Sequence, residues 1–162
     1  MSAHENSTGQ TDEWYTPPEV FEALACDFDM DVASPGSHVV PWIPARHHLT
    51  EGGLEACWKG FVYMNAPFGK RNGLLPWARK FIEHGQGIAL APNRTAAPWM
   101  QELMAAAHGL LFWAPKIKFL KPDGTRGESP GYGTVFVAAG VYAAIMLRRL
   151  DGQNGVYCGR KL

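Results

Sequence analysis

Three predicted strands each end in polar or turn-forming residues. The apolar segment "GFVYM" is followed by Asn-Ala-Pro-Phe at residues 65–68, and two other strands end in Asp-Val-Ala-Ser at residues 31–34 and in Pro-Asn-Arg at residues 92–94. A segment such as "GFVYM" is typical of a central strand in a parallel sheet, and ligands bind beyond the carboxyl ends of the strands in open α/β sheets. The pattern predicts that the three ends converge on one ligand-binding crevice, although asparagine and proline are also ordinary turn residues.

The tetrad formed by Asn65, Ala66, Pro67 and Phe68 resembles the Asn-Pro-Pro-Tyr/Phe motif of amino-methyltransferases, which methylate exocyclic amines of nucleobases with S-adenosylmethionine. The lone pair of adenine N6 is delocalised into the ring, so this amine is a poor nucleophile. By the resemblance, the Asn65 side-chain carbonyl and the Ala66 backbone carbonyl accept its two hydrogens and favour a tetrahedral nitrogen. Pro67 rigidifies the turn, and Phe68 stacks on a base taken out of the duplex.

Ala66 departs from the motif, which usually has proline at that position. Alanine keeps the backbone carbonyl and loses stiffness, about 0.4–1 kcal/mol of preorganisation. The tetrad chemistry alone also permits another acceptor amine, such as cytosine N4 or a glutamine amide of a protein. The departure leaves open a third reading, in which the chain is a non-catalytic DNA- or nucleotide-binding protein on the same fold.

A longer series of segments is similar to the phage-type DNA N6-adenine methyltransferase family. In chain order they are "DEWYTPPEVFEAL", "FDMDVASP", "FVYMNAPFG", "PWARKF", "LAPNRT", "LLF" and "KIKF", which span roughly residues 12–140. The opening "DEWYTP" followed by "DVAS" is the more specific part. The resemblance implies a compact, truncated, Rossmann-like α/β fold of three layers with a mostly parallel sheet. It also implies S-adenosylmethionine as cofactor, DNA as partner, methyl transfer to adenine N6, and a phage or prophage origin.

The same resemblance assigns the methionine end and the amino group of the cofactor to two early segments. The residues concerned are Trp14, Thr16, Pro17, Asp31, Ala33 and Ser34. A carboxylate suits this place, because the donor carries an α-ammonium group that favours an anionic partner. Asp29 competes with Asp31 for the role, since it lies two residues away on the same strand face. No GxGxxG follows this strand, and Glu51 is a candidate for the ribose-binding acid.

Basic residues near the tetrad and in "KIKFLKPDGTRG" suggest a phosphate-contacting rim. They are Lys70, Arg71, Lys116, Lys118, Lys121 and Arg126. Arg94 follows another strand end, and either a DNA contact or a salt bridge would explain it. Strand alternation places Lys116 and Lys118 on one face, but an edge strand protected by lysines explains the same pattern equally well. The pair His47 and His48 has no spacing typical of metal binding or catalysis, and we interpret it as surface.

The elements that position these residues alternate along the chain. Strands are predicted at 28–34, 60–65 and 87–93 and in "LLFWAP", "KIKFL" and "GTVFVAAG"; helices are predicted in "TPPEVFEAL", at 74–85, and in "TAAPWMQELMAAAHG" and "YAAIMLRRL". Thr16 and Thr95 are the predicted helix caps and Gly85 a predicted helix stop. Residues 35–57 are predicted to be irregular. Alternating strands and helices favour an α/β domain with a mostly parallel sheet.

Composition limits the class of protein. The chain has 162 residues, 46% of them hydrophobic, with a net charge of zero. We expect a mobile tail at 1–11 and one domain at 12–162, which by the resemblance is methyltransferase-like. A wholly basic nucleic-acid-binding protein is excluded, whereas a local basic face is not. Three distant cysteines without a CxxC pair indicate no disulfide framework and no metal site, and they fit a reducing cytoplasm, which the resemblance makes that of a bacterial host cell. No apolar run approaches the roughly 18 residues of a membrane helix.

Overall fold

Seven short strands form one sheet in the part of the chain that the computed structural model describes, which is residues 14–68, 73–128 and 131–159. In chain order they are β1 (Phe28–Asp31), β2 (Ala45–His48), β3 (Val62–Met64), β4 (Gly87–Pro92), β5 (Gly109–Trp113), β6 (Thr134–Ala139) and β7 (Gly155–Gly159). Strands β3, β4 and β6 are buried along their whole length, which suits their continuous apolar sequences.

Helices cover both faces of this sheet. They are α1 (Pro18–Leu24), α2 (Leu75–His84), α3 (Pro98–Ala106) and α4 (Val141–Arg148). On one face, α1 and α4 bury Phe21 and Leu147 in the same cluster as Tyr63. On the other face, α2 and α3 bury Phe81 and Met100. The predicted α/β class is confirmed. Among the described residues, no helix has the length and apolarity that crossing a membrane requires.

The prediction of a mostly parallel sheet is wrong. The strand order is β2-β1-β3-β4-β6-β5-β7; the pairs β2-β1, β1-β3 and β3-β4 are parallel, whereas β4-β6, β6-β5 and β5-β7 are antiparallel. A strand that runs parallel to the preceding one needs a crossover, usually a helix, that brings the chain back to the end of the sheet where the preceding strand began. The described part of the segment between β5 and β6 contains no helix. The chain therefore re-enters the sheet at the end where β5 finishes, and β6 runs antiparallel to β5.

Helix ends follow the prediction in one case of three. Helix α2 ends at Gly85, where φ is 75°, a conformation that favours a residue without a Cβ. Thr16 does not cap α1: Pro17 occupies the cap position, and the Thr16 hydroxyl is bonded to a side chain far away in the sequence. Helix α3 is preceded by Ala97 as its cap, and not by Thr95, because the proline that follows Ala97 favours the first helical position.

Three strand predictions are corrected. "KIKFL" alternates between exposed lysines and buried apolar residues as predicted, but it is not a strand. Within it only Leu120 pairs, through isolated bridges to Tyr15 and Arg126. Strand β2 lies inside residues 35–57, which were predicted to be irregular, and β7 was not predicted. Both are edge strands of the sheet, and their sequences, Ala-Arg-His-His and Gly-Val-Tyr-Cys-Gly, lack the apolar pattern of an inner strand.

Candidate functional site

The order of strands along the sheet switches direction between β1 and β3. The chain leaves β1 toward β2 on one side, and it leaves β3 toward β4 on the other. Loops that leave adjacent strands in opposite directions open a crevice at the carboxyl ends of those strands, where open α/β sheets bind their ligands. A pocket of about 560 Å³ lies at this place, and its volume is within the range of cofactor sites.

The pocket brings together two of the three strand ends singled out in the sequence. Residues 31–34 and 65–68 line it, whereas residues 92–94 do not. Of the residues expected to contact cofactor or acceptor, Pro17 lies outside the lining; the others line the pocket, namely Trp14, Thr16, Asp31, Ala33, Ser34, Asn65, Ala66, Pro67 and Phe68. Much of the remaining wall is apolar and includes Val39, Val40, Ile43, Leu49 and Trp77.

Asp31 places a buried acid in this pocket. Its side chain is 2% exposed, and the Ala33 backbone amide donates only a long bond of 3.5 Å to Oδ1. Burial raises the pKa of the Asp31 carboxyl above its usual value; the Ser34 hydroxyl, the His48 imidazole and the Ala33 amide oppose this shift without reversing it. Ionisation of the buried Asp31 is therefore costly, and a cationic ligand would offset that cost.

His48 belongs to this site, so the interpretation of the histidine pair as surface is wrong for one of its members. The parallel register of β1 and β2 sets His48 beside Asp31, and its side chain is only 10% exposed. His48 Nδ1 lies 2.9 Å from Ser34 Oγ and 3.6 Å from Asp31 Oδ2. This is not a catalytic triad, because serine and acid face the same ring nitrogen, whereas a triad uses both. His47 is exposed.

Asp29, the competing acid on the same strand, is engaged elsewhere. Its Oδ2 accepts a hydrogen bond of 2.8 Å from the Phe61 backbone amide, and its Oδ1 lies 3.7 Å from Arg46 Nη1. The Asp29 side chain is 41% exposed and does not line the pocket. Of the two acids of β1, only Asp31 is placed to meet a ligand there.

The Asn65 amide has one defined orientation. Its Nδ2 donates hydrogen bonds of 3.2 Å to the Trp14 backbone oxygen and to Thr16 Oγ1. A backbone carbonyl can only accept, so the amide nitrogen, and not the amide oxygen, must face Trp14. Within the part of the chain that the structure describes, Asn65 Oδ1 accepts no hydrogen bond. The pocket therefore offers an amide oxygen that is ready to accept a hydrogen bond from a ligand.

The other tetrad residues divide between core and rim. Ala66 is 2% exposed and packs in the cluster that contains Val32 and Met64. Pro67 is exposed, and Phe68 is 37% exposed beside the pocket. A phenyl ring at the mouth of a pocket that also holds a polar acceptor suits a flat ligand with an exocyclic hydrogen-bond donor.

Gly53 lets the loop at residues 50–53 close one wall of the pocket. A Cβ at this position would overlap with the Val32 backbone oxygen and lie 2.7 Å from Trp77 Cη2. We expect Gly53→Ala to lower the free energy of unfolding by about 1–3 kcal/mol, because it overpacks the junction of loop and strand. Urea denaturation measures this. Gly133→Ala is the matched control, since a Cβ there meets no atom within 4 Å; equal stability of the two variants would contradict the assignment.

The basic residues predicted to contact phosphates all lie outside the pocket lining where they are described. Lys70 and Arg71 fall outside the described residues. Arg94 lies over the Tyr132 ring, with its guanidinium carbon 4.1 Å from the ring centroid. Arg126 is paired with Glu19 by two hydrogen bonds of 2.5 and 3.1 Å, so its charge is already balanced.

The segment at residues 116–121 runs beside one wall of the pocket, because Tyr15 pairs with Leu120. The lysines on it are exposed, namely Lys116, Lys118 and Lys121. Lys116 Nζ donates to the Gly131 backbone oxygen at 3.3 Å. These three lysines fit a cationic border beside the pocket wall that Tyr15 forms. The edge strand that was the alternative explanation is not formed.

Comparison of the chain with known proteins finds no match to a protein family, to a curated protein or to a solved structure. The chemistry of the pocket therefore rests on its own residues.

Proposed function

We propose that the protein is an S-adenosylmethionine-dependent methyltransferase that transfers a methyl group to N6 of adenine in DNA. One observation carries the proposal: a buried acid, Asp31 at the end of β1, lines the same pocket as the Asn65 amide oxygen after β3, which has no hydrogen-bond partner among the described residues. The acid suits a cationic donor and the amide oxygen suits an acceptor amine. Methyl transfer between the two requires that both be held in one site.

On the donor side, Asp31 is the residue to bind the α-ammonium group of S-adenosylmethionine by a charge-assisted hydrogen bond. The fit is supported by the burial of this acid, which raises the pKa of its carboxyl although Ser34, His48 and Ala33 oppose the shift. Glu51 lines the same pocket, three residues after β2 ends, and is our candidate for the ribose hydroxyls. When bound, S-adenosylmethionine supplies an electrophilic methyl group.

On the acceptor side, Asn65 Oδ1 and the Ala66 backbone carbonyl would accept hydrogen bonds from the two N–H groups of the exocyclic amine. Holding both hydrogens draws the nitrogen toward a tetrahedral geometry and localises its lone pair for attack. Phe68 would stack on the extruded base. The chain thus acts by position and electrostatics, with no covalent intermediate on the protein.

A Rossmann-like methyltransferase fold is part of the proposal. It is supported by four parallel strands in the order β2-β1-β3-β4, by helices on both faces and by the pocket at the switch in strand order. The antiparallel strands β6, β5 and β7 extend the sheet on the side away from β1, so they leave the two strand ends of the pocket unchanged.

Titration calorimetry with S-adenosylmethionine and with its demethylated product tests the donor half of the proposal. We expect both to bind at one site per chain. Heat from neither, with the protein folded, would contradict the methyltransferase assignment for any acceptor. It would favour a DNA- or nucleotide-binding protein on the same fold.

DNA binding should depend on the cationic border. Lys118→Glu should weaken DNA binding at every sequence and reduce the slope of log affinity against log salt by about 1, because one phosphate contact is lost. Fluorescence anisotropy with labelled duplex measures both quantities. Lys59→Glu is the matched charge reversal, since Lys59 is exposed and precedes the amino end of β3, whereas the pocket lies at the carboxyl end of that strand. Equal weakening by the two variants would exclude a local contact at Lys118.

A further inference from the structure

A chain of hydrogen bonds runs from the buried core to the Asn65 amide. Tyr63 is fully buried, and its hydroxyl lies 2.7 Å from Thr16 Oγ1. Thr16 is 1% exposed, and the same oxygen accepts the bond of 3.2 Å from Asn65 Nδ2. Tyr63 and Asn65 are two residues apart, so their side chains lie on the same face of the sheet. Both are bonded to the Thr16 hydroxyl there.

We infer that Tyr63 and Thr16 are positioning residues that hold the Asn65 amide with its oxygen toward the acceptor amine. The inference rests on the proposed function and deepens it: it assigns a role to Tyr63, and it moves Thr16 from contact with the cofactor to support of the acceptor site. Neither residue touches the reacting atoms.

Hydrogen bonds fix the backbone of Thr16 and of the residue before it. Trp42 Nε1 donates a bond of 2.9 Å to the Thr16 backbone oxygen. The preceding residue, Tyr15, exchanges backbone hydrogen bonds of 2.9 and 2.8 Å with Leu120. A threonine on a fixed backbone has few side-chain rotamers, so its Oγ1 offers the Asn65 amide a constant acceptor position.

Tyr63 acts by hydrogen bonding and not by proton transfer. Burial raises the pKa of its phenol far above the usual value, so the hydroxyl keeps its proton at neutral pH. Thr16 Oγ1 is also the only polar partner that the described residues give this hydroxyl. Removal of the Tyr63 hydroxyl would loosen Thr16 and, through it, the amide.

The simpler explanation is that Thr16 only satisfies a buried phenol, and steady-state kinetics separates the two. We expect Tyr63→Phe to lower kcat for methyl transfer by roughly tenfold and Thr16→Val by roughly tenfold to a hundredfold, because misplacement of a catalytic group by about 1 Å has effects of this size. Affinity for S-adenosylmethionine and the KM for DNA should stay at the wild-type values in both variants, since the lost interaction acts in the transition state. Thr16→Ser, which keeps the hydroxyl, should restore most of the rate.

Thr134→Val is the matched control, because it deletes a buried hydroxyl of the same sheet that has no hydrogen-bond partner among the residues the structure describes. It should leave kcat unchanged, and thermal unfolding of each variant verifies the fold. Wild-type kcat in Tyr63→Phe and Thr16→Val would overturn the inference while leaving the proposed function intact. A loss of S-adenosylmethionine affinity at constant kcat would assign Thr16 to the donor site and also overturn it. No transfer by the unmodified chain would overturn the proposed function and this inference together.

Discussion

Asn65→Ala abolishes most of the methyl transfer and leaves S-adenosylmethionine affinity unchanged, on the mechanism proposed for this pocket. Asn65 Oδ1 is an acceptor with no partner among the described residues, and the neighbouring Nδ2 is fixed by Trp14 and Thr16. Removal of one preorganised hydrogen-bonding group from a reacting centre typically lowers kcat by about 100- to 1,000-fold. Because Asn65 acts on the acceptor amine, the donor should bind as before.

The measurement is the initial rate of transfer of labelled methyl groups to unmethylated DNA, together with calorimetry for S-adenosylmethionine. Asn93→Ala is the matched control. Asn93 also follows the carboxyl end of a buried strand, β4, which is parallel to β3, but it does not line the pocket. It should retain wild-type rate. An Asn65→Ala variant that transfers methyl groups at the wild-type rate would contradict the proposed mechanism.

Asp31→Asn should weaken S-adenosylmethionine binding by roughly 10- to 150-fold. It removes the charge from a hydrogen bond to the ammonium group, and hydrogen bonds to charged groups contribute about 1.5–3 kcal/mol. Asp29→Asn provides the comparison on the same strand, because Asp29 is bonded to Phe61 outside the pocket; it should leave the affinity unchanged. Equal affinities of Asp31→Asn and wild type in calorimetry would remove Asp31 from the site.

The same substitution should stabilise the empty protein at neutral pH. Burial raises the pKa of Asp31 in the folded chain, so between its unfolded and folded pKa values the native state binds more protons than the unfolded state. The free energy of unfolding of the wild type therefore falls as pH rises through this window, and it stays lower above it. Asn cannot ionise, and its amide oxygen can still accept the hydrogen bond from the Ala33 amide.

Thermal unfolding of the two proteins at several pH values tests this sign. At pH 7–8 the Tm of Asp31→Asn should exceed that of the wild type by roughly a few degrees, in the range that about 1 kcal/mol gives for a chain of this length. The difference should shrink toward pH 4, near the ordinary pKa of aspartate at about 3.9. A variant that is less stable than the wild type at pH 8 would mean that the ionised carboxylate is already well satisfied in the empty pocket.

The meeting of two strand ends could be predicted from the sequence, because an apolar run that ends in polar residues indicates both a buried strand and its exit. The role of His48 could not. In strand β2 both Arg46 and His47 are exposed and there is no apolar alternation, so its sequence pattern is that of a loop. Only its pairing with β1 places His48 beside Asp31.

Thr16 shows a second limit. A threonine before two prolines and a glutamate has the local pattern of a helix cap, and the family resemblance adds only a contact with the cofactor; neither predicts a bond to a buried phenol. In the folded chain its hydroxyl bonds to Tyr63, 47 residues away, because a tertiary partner replaces the local one. The direction of β6 was equally hidden, since it depends on how the segment after β5 returns to the sheet and not on the apolar pattern of β6 itself.

The most direct test of the central claim is mass spectrometry of nucleosides from DNA that has been incubated with the protein and S-adenosylmethionine carrying a deuterated methyl group. The deuterium label distinguishes transfer by this protein from methylation already present in the DNA. The proposed function predicts labelled N6-methyladenine and its loss with Asn65→Ala. Labelled N4-methylcytosine alone would contradict the assignment of adenine as the acceptor. No labelled nucleoside, from protein that is folded and binds the donor, would contradict DNA methylation altogether.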